Sequence, residues 1–470
     1  MNKISIFLFV NFFICTFCSA QDSVRTLNAE QIILLVKKFH PLAAIAGIGV
    51  EKAKADILVA QGAFDPVLSV DAGRKTFDRT NYYDYFSPEI MLPTWYGVEF
   101  FGGIESLTGF RLDPTLTKGQ SSYLGVSIPL AKDLLIDKRR AYLKQSKIFA
   151  TMASVEQKSV LNDLLMDALE AYWNWVKNYQ TYIVVQNNVA VNERRLELVK
   201  KSFFNGERPA IDTIEALAQL QGFQVQSNSR YLEFQNAGLE LSAFCWKKNG
   251  EPYELPSGVV PESAWENEVK LEKFNLSLPD LMAVANSNHP DLTIYQLKLS
   301  ALDINKKLKF QELLPKLDFR YNQLGKGYNL LNTALEGPLF ENNYQYGIKF
   351  EMPLRLSEGR GNYKNAKLKI EETKLLEVQK RLAIQLKIKN YFNEYVNLKN
   401  QILVQSRNFD NYQKLVRAEE KRLSNGESSL FIINSRENKA LEALEKLIEL
   451  KTKYFKTIYT LQWSAGLLQL

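Results

Sequence analysis

The chain is poor in cysteine and in histidine. Of its three cysteines, Cys15 and Cys18 lie in the first 20 residues, so removal of that segment leaves Cys245 alone. A single thiol forms no intramolecular disulfide, and stability then has to come from packing or assembly. The two histidines, His40 and His289, each stand directly before a proline, Pro41 and Pro290. Proline's fixed φ and missing N–H suit the first turn of a helix, so these are read as two equivalent helix starts, not as catalytic or metal residues.

Other things are missing too. Beyond residue 20 no run of about 18 apolar residues occurs, the length a membrane-spanning helix needs, so any contact with a bilayer falls to strands. Charge is mixed in sign, 59 basic against 52 acidic residues for a net +7, and +6 once Lys3 leaves, which is no nucleic-acid footprint. There is no nucleophile motif, no phosphate-binding glycine loop and no metal-ligand cluster. Adjacent carboxylates such as Glu371 and Glu372 fit a solvated helix face. The chain is therefore read as a non-enzyme that needs no cofactor.

Residues 1–20 are read as a secretory signal. Lys3 precedes the apolar run Ile4 to Phe17, and Cys18, Ser19 and Ala20 close it, with cleavage expected before Gln21. Lipid anchoring through Cys18 is the alternative, but the bulky Phe17 makes a poor lipoprotein junction.

One landmark series occurs twice. His40-Pro41 and Pro66 recur as His289-Pro290 and Pro315, each 249 residues later. Pro129, in Ile-Pro-Leu, is answered by Pro353, in Met-Pro-Leu, 224 later. Asn205-Gly206-Glu207 is answered by Asn425-Gly426-Glu427, 220 later. The duplication sets the architecture before any local reading.

Glycine and proline are absent from 130–205 and from 362–425, runs far beyond ordinary globular helices. Apolar residues recur every seventh position there: Leu161, Ala168, Trp175, Tyr182, Val189 and Leu196 in the first run, Ile388, Tyr395, Ile402, Phe409, Val416 and Leu423 in the second. Ile384, Tyr391 and Leu398 add a companion seam. The return helices keep the beat, through Ile211, Ala218, Val225, Leu232, Leu239 and Trp246, and through Ile433, Ala440, Leu447, Tyr454 and Leu461. A sustained heptad implies left-handed supercoiling against a neighbour. Glycine after asparagine at the turns suits a left-handed helix cap. Each copy thus holds a long helical hairpin, with tips at 205–208 and 424–429.

Between the helices the pattern changes to period two. Pro66 to Arg74, Ser121 to Pro129, Pro315 to Tyr321 and Asn343 to Pro353 all alternate, the mark of strands with unlike faces. The first copy carries 25 more residues here than the second, the difference between 249 and 224, and Trp95 to Ile104 also alternates. The flanking helices lie on one side, so each copy makes an even number of crossings. Two crossings per copy with a long external loop is the expectation, four strands per chain. Aromatics crowd this region, among them Tyr82, Tyr83, Trp95, Phe100, Tyr321 and Tyr346, as in the girdles of outer-membrane barrels.

Strand pairs and helical hairpins in duplicate, His-Pro starts, Pro-Leu exits and Asn-Gly-Glu tips, in this order and twice, resemble the TolC-like outer-membrane efflux proteins over nearly the whole mature chain. The resemblance implies a mixed fold of membrane β-barrel and α-helical coiled-coil barrel, closed by a homotrimer into twelve strands. Closure also follows from physics, because open sheet edges cannot face lipid and barrels below eight strands are not expected. It implies a first repeat at 21–245, with strands about 66–129 and a hairpin about 131–245. An equatorial insertion would follow at 246–288, where prolines 252, 256, 261 and 279 cluster. The second repeat would be 289–470, with strands about 315–353 and a hairpin about 360–465.

By the same resemblance, the protein is an exit duct in the outer membrane of a Gram-negative bacterium, reaching into the periplasm. It would serve a tripartite efflux pump or a type I secretion system, with a periplasmic adaptor and an inner-membrane pump as partners. Asn205, Gly206, Glu207, Arg208, Asn425, Gly426 and Glu427 would dock the adaptor. The acidic pore positions of the family fall on Asp212 and Glu215 in the first copy but on Ile432 and Ser435 in the second. Glu427 is a substitute acidic candidate, and an apolar gate at Leu430, Phe431 and Ile432 is the alternative, since apolar constrictions close by dewetting. The competing reading is a periplasmic coiled-coil adaptor or scaffold, which shares the heptads but needs no amphipathic strand pairs.

Overall fold

A computed structural model describes residues 25–110, 117–256, 258–262, 276–328 and 343–468. The expected signal segment and Cys18 lie outside the described residues.

The described residues open with β1 (Arg25–Leu27) and α1 (Ala29–Phe39), and α2 (Pro41–Gly62) follows at once. His40 sits between the two helices in extended conformation and caps α2: its Nδ1 accepts the N–H of Leu42 at 3.2 Å. His289 does the same for Asp291 at the start of α6 (Pro290–Gln311), also at 3.2 Å, after α5 (Leu278–Asn288). Both histidines are thus helix caps with proline at the next position.

After α2 the chain enters a sheet through β2 (Val67–Phe77), β3 (Thr80–Pro93), β4 (Glu99–Thr108) and β5 (Gly119–Pro129). It returns after α6 through β7 (Lys316–Lys326) and β8 (Tyr344–Glu351). These six form one antiparallel sheet in the order β2-β3-β4-β5-β7-β8. The expectation of four strands per chain is therefore corrected: the sheet of the described residues has six. The extra 25 residues of the first copy are the hairpin β3–β4. A two-residue turn at Asp78 and Arg79, both with left-handed φ (50° and 58°), reverses the chain between β2 and β3, a conformation that fits the twist of a tight hairpin. A short parallel pair, β1 with β6 (Val259–Pro261), stands apart from the sheet.

The sheet feeds two long hairpins. The first is α3 (Lys138–Phe204, 67 residues) with α4 (Ala210–Ser242), and the second is α7 (Ser357–Ser424, 68 residues) with α8 (Leu430–Ser464). At roughly 1.5 Å per residue α3 and α7 each span about 100 Å. Asp137 opens α3, its side chain accepting the N–H of Arg140 at 2.8 Å. Both tips close as Schellman turns. Glu207 N–H reaches Ser202 C=O and Gly206 N–H reaches Phe203 C=O, and Glu427 to Arg422 with Gly426 to Leu423 repeats the pattern. Gly206 and Gly426 have φ of +78° and +76°, which only glycine adopts without strain.

The main core lies where all long helices meet: Leu165, Leu169, Tyr172 and Trp175 of α3, Leu241 of α4, Ile388 of α7, Tyr454 and Ile458 of α8. Trp173 stacks on Phe455 with centroids 5.2 Å apart. The α7 and α8 heptads largely lie in this core. On α4 the buried side is instead Ala216, Leu220, Phe223, Phe234, Ala237 and Leu241, so its heptad residues Ile211, Val225, Leu232 and Leu239 face away from the chain.

Candidate membrane wall, open edges and helical tips

The strand register sorts the sheet's side chains onto two unlike faces, because successive residues of a strand point to opposite sides. One face carries Val70, Ile90, Phe100, Leu124, Phe319 and Ile348, with others of the same kind. Among the described residues this face is uncovered: Val70, Ile90, Phe100, Leu124 and Ile348 are all exposed. Tyr321, Tyr344 and Tyr346 stack along this face at 6.3 to 6.4 Å. Toward the Asp78–Arg79 end it turns polar, with Arg74 paired to Asp84 at 3.7 Å. An uncovered apolar sheet face of this extent is what a bilayer would cover.

The opposite face is polar and internally bonded. Tyr123 donates its hydroxyl hydrogen to Glu89 at 2.6 Å, Ser121 donates to Glu105 at 3.3 Å, and Asn322 donates to Gln345 at 3.3 Å. The Arg320 guanidinium lies 4.0 Å over the Phe101 ring. Phe101 itself lies across Gly125, where a Cβ would come within 2.1 Å of the ring, so glycine is required at that crossing.

Each layer of the chain ends in open edges. Among the described residues β2 and β8 pair on one side only, and β8 is exposed at every position. In the helical layer next to the sheet the packing order is α2, α3, α6, α7. The outer helix α2 exposes Leu42, Ile45, Ile48 and Leu58, while α7 exposes Leu368, Leu375 and Leu382 at heptad spacing. In the layer toward the tips the order is α4, α3, α8, α7, with Val225, Leu232 and Leu239 of α4 and Val396 and Leu403 of α7 exposed. One side of the chain is thus β2, α2 and α4, and the other is β8 and α7 throughout. Six antiparallel strands leave β2 and β8 running in opposite directions, so β8 of one copy can pair antiparallel with β2 of another.

The tips lie side by side. Arg208 donates to Asp212 at 3.2 Å and to the Leu423 carbonyl of the other hairpin at 3.3 Å. Glu215 accepts from Asn434 at 3.4 Å. Both acidic pore candidates of the first copy are thereby engaged within the chain. Leu430 is 1% exposed and packs with Leu196, Val199, Ala216 and Leu220, whereas Phe431 is 71% exposed and Ile432 38%. Ser435 is exposed, and Glu427 is exposed with Arg422 4.0 Å away. Asn205, Gly206, Glu207, Asn425 and Gly426 are exposed on the two turns.

Sequence reasoning missed the polar ties that hold the hairpins together: Arg195 with Glu437 and Glu420, Gln219 with Asn438, Arg230 with Glu445. Their signal was polar residues next to heptad apolar ones, such as Asn434 and Glu437 beside Ile433. Buried Glu419, which accepts from Ser428 at 2.5 Å and braces the second tip, was missed as well. Burial lowers the pKa of His40 and His289 from the ordinary 6.5. Among the described residues no group of three or more His, Cys, Asp or Glu is placed to hold a metal, and no single helix is long and apolar enough to cross a membrane.

No protein-family model and no curated protein sequence matches the chain. Solved structures do. The Campylobacter jejuni CmeC outer membrane channel aligns over 93% of this chain and 85% of its own, at 14% identity and a TM-score of 0.63. The outer membrane protein VceC from Vibrio cholerae aligns over 93% and 96%, at 13% identity and 0.62. The open state of the Neisseria gonorrhoeae MtrE outer membrane channel aligns over 93% and 88%, at 12% identity and 0.62. The chain has the mixed strand and helix fold of these outer membrane channels.

Proposed function

We propose that the chain is a TolC-like protein of the outer membrane: an exit duct that passively conducts substrates outward from an inner-membrane pump and a periplasmic adaptor. The observation that carries this is the coincidence of an uncovered apolar sheet face with open edges on the same two sides of every layer. Unpaired backbone groups cannot face lipid, so a sheet with these faces needs its edges closed before it is stable there. Sister copies offer that closure, β8 against β2 and α7 against α2 and α4, and three of them make the ring we propose. The polar face then lines water and the apolar face meets outer-membrane lipid.

In this assembly the paired tips, Asn205 to Arg208 and Asn425 to Glu427, present the surface for the adaptor. With Asp212 and Glu215 bound inside the chain and Leu430 packed, Phe431 and Ile432 are the candidates for the narrowest point, an apolar gate flanked by Glu427 and Ser435. Either a tripartite efflux pump or a type I secretion system fits such a duct. A periplasmic scaffold has no use for the six-stranded sheet. Membrane extraction tests the reading: the duct leaves the membrane only with detergent and migrates as a heat-labile trimer, whereas recovery in a salt wash overturns it.

A further inference from the structure

Among the described residues the first copy carries a hairpin with no counterpart in the second. In the second copy, β7 follows α6 and β8 leads to α7. In the first, β2 follows α2 and β5 leads to α3, with β3 and β4 inserted between them. Two arrangements could hold such an insertion: a flap outside the membrane, or two more staves in the wall.

The register excludes a flap lying loose. β3 pairs with β2 from Val67↔Met91 to Phe77↔Thr80, the full length of β2, and β4 pairs with β5 from Glu99↔Ser127 to Leu107↔Gly119. The β3–β4 turn sits at the helix end of the sheet and is fastened there. Trp95 stacks on Phe64, just past α2, at 4.9 Å and 3°. Arg140, in the first turn of α3, donates to the Tyr96 carbonyl at 3.2 Å, and Arg139 meets Glu99 at 2.6 Å. Gly97, with φ +88°, lies so close to the Arg140 guanidinium that a Cβ would come within 2.7 Å of it. Both strands also keep the two-faced pattern: Phe86, Ile90 and Phe100 on the apolar side, Ser87, Glu89 and Glu105 on the polar side.

We infer that β3 and β4 cross the membrane as part of the barrel wall, so that each copy contributes six strands and the three-copy ring of the proposed duct has eighteen. This rests on that reading of the chain. Diameter grows about linearly with strand number, so the lumen is roughly 1.5 times as wide as that of a twelve-stranded barrel and about twice its cross-section. The widened wall carries both signs, with Asp71, Glu89 and Glu105 against Lys75, Arg320 and Lys349. The outer exit therefore passes broad cargo with little charge preference, and selection falls to the helical end.

Four single-cysteine variants test this in the membrane-embedded full chain: Ser87→Cys and Glu105→Cys on the polar face, Ile90→Cys and Ile104→Cys on the apolar face. Native Cys245 is buried, with its thiol pushed up to about 11, and gives no background. A charged, membrane-impermeant maleimide should label the first two at least tenfold faster than the last two. A fluorophore carried at Ile90→Cys or Ile104→Cys should be quenched by doxyl-labelled phospholipid. Equal labelling of all four and no quenching, in material that is otherwise a membrane-inserted trimer, overturns the inference and leaves the duct intact. Loss of membrane insertion or of the trimer in the unsubstituted chain overturns the duct instead.

Discussion

Arg195 of α3 holds Glu437 of α8 through both terminal guanidinium nitrogens, each on its own carboxylate oxygen, across 242 residues of sequence. The side chains are 12% and 8% exposed, and Glu420 of α7 approaches the same guanidinium at 3.4 Å. One arginine thus joins three long helices and ties the first hairpin to the second. Bidentate geometry fixes the relative position of the rods as a single charge contact could not.

Breaking this tie leaves the buried Arg195 guanidinium with only the half-exposed Glu420 beside it, which costs up to about 3–5 kcal/mol, whereas replacing both partners with apolar residues of similar size is close to neutral. Glu437→Ala should therefore lower the melting temperature markedly, and Arg195→Met combined with Glu437→Leu should recover most of the loss. Differential scanning calorimetry in detergent checks both. Equal melting of Glu437→Ala and the parent would show that the pair does not hold the hairpins.

The histidine caps predict a pH dependence. Each Nδ1 accepts a backbone N–H and must stay neutral to do so, and burial lowers both pKa values below the ordinary 6.5. As pH falls, unfolded chains take up these protons before folded ones. Stability is full above about pH 6.5 and declines as pH drops toward and through the folded values. The double variant His40→Asn/His289→Asn keeps a good cap that does not titrate. Its melting temperature should fall less between pH 7 and pH 5 than the parent's; identical slopes would contradict the assignment.

Lipid contact predicts a face-dependent cost in the sheet. Lysine at Ile348, on the apolar face of β8, should cost about 2–4 kcal/mol if the site lies near the bilayer midplane. Its neighbour Lys349 points to the polar face, so Lys349→Gln should be nearly silent. Yields of heat-labile assembly from outer membranes give the comparison, and equal yields for both would place no lipid on that face.

Assembly surfaces predict a separation of folding from association. Val225 and Leu232 are exposed in one chain, so Val225→Glu/Leu232→Glu removes little packing within it. Far-ultraviolet circular dichroism and the melting of isolated chains should stay within the small range of surface changes, about 0.5 kcal/mol. The proposed trimer should dissociate at a lower temperature on unboiled gels. Unchanged dissociation would exclude α4 from the contact between copies.

Much of this architecture is written in local pattern. The duplicated landmarks, the glycine-free heptad runs and the Asn-Gly tips are read directly, because helix capping and helix period depend on residues a few positions apart. The extra hairpin was visible as 25 surplus residues and an alternating stretch, yet its first turn is Asp78-Arg79, with neither glycine nor asparagine to advertise left-handed φ. An even number of crossings allows four as readily as two. The α4 heptad is legible too, but in the single chain that stripe stays exposed. The tip candidates were named from motif order, whereas the engagement of Asp212 by Arg208 and of Glu215 by Asn434 depends on how two hairpins 220 residues apart lie together. No local spacing encodes that.

In the proposed ring the open edges β2 and β8 meet between copies. Gly347 of β8 has open space where a Cβ would stand, so Gly347→Cys is tolerated, and its face matches Val67, Ser69 and Asp71 of β2. Gly347→Cys combined in turn with Val67→Cys, Ser69→Cys or Asp71→Cys scans the unknown register, since a disulfide forms only when Cα atoms come within about 7 Å. After oxidation in the membrane, one register should yield a covalent trimer on denaturing, non-reducing gels, with the single variants remaining monomers. Only monomers at every register would contradict the account.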